Sequence, residues 1–105
     1  MSTLKHATTH DVNKLRGKVR IIDVREPSEW TGELGHVAEA ELVPLATVGT
    51  AANGWDRNAP LVCICRSGGR SGRAAEQLVG MGFKDVTNMT GGMLAWKDAG
   101  LPVAP

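Results

Sequence analysis

The chain has 105 residues, enough for one domain with a substantial core and too few for two. Its formal net charge of +1 and 42% apolar content exclude a bulk electrostatic partner such as a nucleic acid or an anionic membrane. Met1 to His10 is polar, unlike a signal peptide, and no apolar run approaches a membrane span, so the expected compartment is the cytoplasm, where thiols stay reduced.

In chain order, Leu4 to Ala7 reads as a short first strand. Thr8 or Thr9 can cap a helix to about Arg16, with Val12 and Leu15 on one face and Gly17 as its stop. Val19 to Val24 is a run dominated by β-branched residues and reads as a buried strand. Pro27 opens a short helix, Ser28 to Thr31, and Gly32 to His36 is loop. Leu42-Val43-Pro44 suggests a short third strand ended by proline, and Leu45 to Ala52 one or two helical turns. Asn53-Gly54 is a turn, followed by a surface loop from Asp56 to Pro60.

Leu61 to Ile64 is the clearest strand. Ser71 to Met81 reads as a helix with Ala74, Ala75, Leu78 and Val79 on one face. Lys84 to Asn88 is a further strand, and Thr90-Gly91-Gly92 leads into a last helix, Met93 to Asp98, closed by Gly100 and Pro102. Alternating strands and helices predict an α/β fold over residues 1–105, a small, mostly parallel sheet of about five strands with helices on both faces. Sites on such sheets gather beyond the carboxyl ends of the strands.

Cys65-Arg66-Ser67-Gly68-Gly69-Arg70-Ser71 occupies that position, between the clearest strand and the helix after it. A free cysteine titrates near ~8.5, so roughly 3% is thiolate at neutral pH, and the thiolate is the reactive form. Loop N–H groups, the N-terminus of the following helix and the guanidiniums of Arg66 and Arg70 can each favour the anion. Gly68 and Gly69 let the loop curl, and Ser67 and Ser71 add hydroxyl donors, although Ser71 can instead cap the helix. Cys63 reads as a small core residue, since two sulfurs alone make a poor metal site. His6 and His10 read as surface histidines, His36 as a loop-holding residue, and Trp96 as packing. Arg25 can touch substrate or pair with Asp23 or Glu26, and Arg73 adds field.

The Cys65 loop resembles the active-site loop of the rhodanese sulfurtransferases. Asp23-Val24-Arg25 resembles that family's Asp-x-Arg, Gly35-His36-Val37 its Gly-His-Ile, and Gly91-Gly92 with Trp96 its C-terminal pattern. Ala38-Glu39-Ala40 departs from the family's Pro-Gly-Ala, and position 69 is glycine where many relatives carry a side chain. The resemblance implies a single rhodanese-like domain in which Cys65 carries a persulfide between a donor such as thiosulfate and an acceptor, cyanide or a thiol. It implies Arg66, Ser67, Gly68, Gly69, Arg70 and Ser71 as substrate-binding residues, and neither metal nor organic cofactor. Expected partners are a small anionic sulfur donor and a thiol or cyanide acceptor, with a protein sulfur acceptor also open. Two alternatives use related scaffolds. One is a sulfur-carrier or interaction module acting on a protein; the other is a phosphatase or arsenate reductase, whose loop has one more residue between Cys and Arg.

Overall fold

The computed structural model describes residues 4–105. Five strands, β1 (Leu4–Ala7), β2 (Arg20–Asp23), β3 (Ala40–Leu42), β4 (Leu61–Ile64) and β5 (Val86–Met89), form one sheet in the order β1-β5-β4-β2-β3. Every neighbouring pair is parallel. The helices α1 (Thr9–Leu15), α2 (Pro27–Trp30), α3 (Val48–Ala51) and α4 (Gly69–Gly80) lie between successive strands in sequence, and α5 (Gly92–Asp98) follows β5.

The central strands β2, β4 and β5 are buried along nearly their whole length because both faces of the sheet are covered. Successive side chains alternate between faces. Ile22, Leu61, Cys63 and Val86 pack with Val48 of α3 and Ala74, Ala75 and Leu78 of α4. Ile21, Val62, Ile64 and Met89 pack with Val12 of α1 and Met93 and Trp96 of α5. Trp96 is fully buried and donates its indole N–H to the Pro102 carbonyl at 3.0 Å, which confirms a packing role.

Local chemistry sets the element ends. Thr8 caps α1: its hydroxyl accepts the Asp11 N–H at 3.2 Å, and the Asp11 carboxylate accepts the Thr8 N–H at 3.3 Å. The third strand sits at Ala40–Leu42, earlier than the apolar Leu42-Val43 pair suggested. It is an edge strand, where Glu41 is admissible because its carboxylate meets Arg20 of β2 at 2.6 Å. Pro44 has no N–H to extend the ladder. α4 starts at Gly69, two residues before Ser71; its first turn carries no apolar residue, so hydrophobic spacing does not reveal it.

In the parallel register Asp23 lies opposite Ile64, so β2 and β4 end level. The segments that follow them, one opening α2 and the other α4, therefore meet at the carboxyl edge of the sheet.

Candidate active site

Cys65 is the first residue after β4, and its side chain is only 1% exposed. Arg66 and Ser67 continue into solvent, and the chain then reverses at Gly68, whose φ of +107° is a backbone state that L side chains rarely adopt. The turn brings the Gly68 N–H to 3.0 Å from Cys65 Sγ. Gly69 is different: its φ is not positive and a Cβ there would meet nothing within 4 Å, so neither backbone nor packing requires glycine.

Ser71 does not cap α4, since Gly68 holds the cap position. Its buried hydroxyl lies 3.3 Å from Sγ and 2.6 Å from Oδ1 of Asn88 on β5. Nδ2 of Asn88 donates to the Gly68 carbonyl at 3.3 Å, which fixes the amide's orientation. One hydroxyl proton faces two acceptors and cannot serve both. A thiolate, being the charged acceptor, draws it away from Asn88.

Burial works to raise the Cys65 pKa, but the Ser71 hydroxyl and the N–H groups of Ser71, Gly68 and Ser67 outweigh it and hold the thiol below its ordinary value. Cys63, two residues earlier on the same face, is fully buried, and desolvation followed by the nearby Cys65 charge pushes it up to about 12. One cysteine is thus set up to ionise and the other is not. Replacing Ser71 with alanine should move the pH dependence of Cys65 alkylation by iodoacetamide to higher pH. An unchanged profile would mean that the amides suffice.

The arginines depart from the sequence expectation. Arg70 reaches across to α2 and makes a two-pronged pair with Glu29, at 2.7 and 2.8 Å. Its N–H groups hold the Glu29 carboxyl well below the usual range, at about 2, against a smaller opposing effect of burial. Arg66 is exposed and makes no ion pair or side-chain hydrogen bond among the described residues. Arg73 is exposed on α4, one turn further along.

Arg25 is buried and pairs with Asp23, one of the two partners expected from the sequence; its Nη2 lies 2.8 Å from Oδ2. It also donates to the carbonyls of Glu29 at 3.3 Å and Gly35 at 2.7 Å. Arg25 therefore ties the segment from α2 to Gly35 onto the end of β2. His36 completes that segment: its ring stacks on Trp30 with centroids 3.6 Å apart, and Nδ1 lies 3.0 Å from the Trp30 carbonyl. A carbonyl only accepts, so Nδ1 donates, and the loop-holding role stands.

A cleft of about 220 Å³ opens beside the loop, lined by Arg25, Glu29, Glu33, Leu34 and Arg66 among others. Cys65 does not line it; the cleft begins one residue away, at Arg66. Below the loop, α5 supports the carbonyls that point away from the thiol. Met93 N–H donates to Cys65 O at 2.9 Å and Leu94 N–H to Arg66 O at 3.0 Å. Gly92, at φ +59°, permits this approach, because a Cβ there would collide with the backbone of Cys65 and Arg66. No cluster of three or more His, Cys, Asp or Glu side chains able to hold a metal occurs among the described residues.

Sequence reasoning did not assign Glu29 or Asn88 to the site. Each meets its partner across a long chain separation, 41 residues for Glu29 and 17 for Asn88. The one local signal was a polar asparagine in a strand otherwise suited to burial.

A parallel five-stranded sheet with a cysteine cradled in a strand–loop–helix turn at its carboxyl edge defines a class, and the chain belongs to the rhodanese-like domain family, whose model matches residues 8–99. The uncharacterized protein slr1261 of Synechocystis is 39% identical over 84 residues, covering 80% of this chain and 46% of that protein. The chain thus spans about half the length of that curated relative. The thiosulfate sulfurtransferase GlpE of Pseudomonas putida is 31% identical over 99 residues, covering 92% of this chain and 88% of that one. A rhodanese-like domain protein from Staphylococcus aureus superposes with a TM-score of 0.81 at 32% identity, covering 96% of this chain and 99% of that one.

Proposed function

We propose that the chain acts as one unit and moves a sulfane sulfur from an anionic donor such as thiosulfate to cyanide or a thiol, through a persulfide on Cys65. The observation that carries this reading is the cradle itself, with the Gly68 amide at 3.0 Å and the Ser71 hydroxyl at 3.3 Å from Sγ.

Hydrogen-bond donors directed at sulfur favour the thiolate that attacks. In the first displacement the Cys65 sulfur bonds to the outer sulfur of thiosulfate, the S–S bond of the donor breaks, and sulfite leaves with the electron pair. In the second, the acceptor attacks the outer sulfur of the persulfide, and Cys65 departs as thiolate. The same donors stabilise that departing charge. The sulfurtransferase name of GlpE supports the reading. Both cysteines are unpaired, which suits a reducing compartment. No helix among the described residues is long and apolar enough to cross a membrane.

Intact-mass spectrometry after incubation with thiosulfate is the direct test. The protein should gain one sulfur atom, and cyanide should remove it as thiocyanate. A mass unchanged by any sulfane donor would leave the interaction-module reading in its place.

A further inference from the structure

The charges around Cys65 are nearly balanced, which is unexpected for a site that receives dianions. Arg25 is taken up by Asp23, and Arg70 by Glu29. Arg66 and Glu33 line the same cleft, and neither is in an ion pair among the described residues. Arg73 stands in solvent a turn further on, where salt screens it. What remains for an anion at Sγ is the loop amides, the α4 N-terminus and Arg66.

Resting on the sulfurtransferase reading, we propose that Glu29 sets the charge class of the donor. By neutralising Arg70, it makes the site favour singly charged sulfane sulfur, such as thiosulfonates and organic hydropersulfides, over the thiosulfate dianion. Arg70 stands beside Ser71, whose hydroxyl lies 3.3 Å from Sγ, and it donates to Glu29, which lines the cleft next to the loop. It would thus meet a donor's anionic group if it were released. The reaction with a thiosulfonate balances as it does with thiosulfate: thiolate attacks the terminal sulfur, the donor S–S bond breaks, and a sulfinate leaves with the electron pair. Glu29 touches no reacting atom and acts through Arg70, as a positioning residue.

Glu29→Gln tests this with little disturbance, because the amide oxygen can still accept the Glu26 N–H that Oε1 accepts at 3.1 Å. At low salt, kcat/KM for thiosulfate should rise about five- to tenfold, mainly through KM, while that for benzenethiosulfonate rises about two- to threefold. Added potassium chloride should erase both gains. A loss shared equally by the two donors, or an unchanged ratio between them, would overturn the proposal.

A second arm needs no sulfur transfer. Cys65 is alkylated with anionic iodoacetate and neutral iodoacetamide, and the two rates are compared; Cys63 stays silent in its core position. The anionic-to-neutral ratio should rise about threefold in Glu29→Gln, fall in Arg70→Gln, and return near the parent value in the double variant. Ratios that ignore both substitutions would sink the electrostatic role even if sulfur transfer is intact. Ratios that follow the cycle on a protein that forms no persulfide would preserve the charge control and remove the sulfurtransferase reading instead.

Discussion

Replacing Cys65 with serine will abolish persulfide formation and reduce thiosulfate-dependent thiocyanate production by at least about a thousandfold. A serine hydroxyl offers no anion at neutral pH, and oxygen has no route to a stable per-sulfur adduct. The cradle should survive the change. Serine is smaller by a fraction of an ångström in bond length, and its oxygen can still accept from the Gly68 N–H that now lies 3.0 Å from sulfur. The stability cost is therefore about 1 kcal/mol or less. Circular dichroism and urea unfolding would establish that the fold is retained, and intact mass and cyanolysis would follow the chemistry. Residual activity above background in a folded variant would place the reacting group elsewhere. Cys63 is the wrong alternative on physical grounds, because its thiol is fully buried and held at about 12.

The largest effect on stability is expected at Arg25. Its guanidinium makes three bonds to the Asp23 carboxylate, through Nε at 3.0 and 3.1 Å and through Nη2 at 2.8 Å, and two more to backbone carbonyls. Both side chains are essentially excluded from water, at 1% and 0% exposure. Arg25→Leu leaves Asp23 without its cation and the Gly35 carbonyl without its donor. Breaking a buried pair from one side costs about 3–5 kcal/mol, a large share of the 5–15 kcal/mol typical of a domain. Urea unfolding would measure it. Asp23→Leu combined with Arg25→Leu should recover part of the loss, since two apolar residues leave no charge stranded. A single-variant cost below about 1 kcal/mol would show that water reaches the carboxylate.

These two residues also mark how far the sequence could be read. The Cys65 loop was legible because its chemistry is local: a thiol, a glycine that can take a positive φ and a helix start stand next to one another along the chain. Asp23 and Arg25 were legible for the same reason, being two residues apart. Glu29 and Asn88 were not, because their partners come from other elements, and only the parallel register brings them together. That distance also hid the partner of Arg70. Read locally, Arg70 faces the thiolate alone; in the folded chain, a carboxylate on α2 pairs with it as well. The third strand lies earlier than its apolar residues indicate, because at this edge the ladder runs through Glu41.

The pairing of β1 with β5 has a consequence for synthesis. Leu4 lies opposite Val86, so among the described residues the first of the five strands in sequence has the last as its sheet neighbour. The β2–β4 pair can begin to assemble earlier, but β5, with the Asn88 amide that meets Ser71, is synthesised after both cysteines. Until then both thiols are open to oxidants, and a nascent chain held in an oxidising setting risks losing the nucleophile before its protective shell exists.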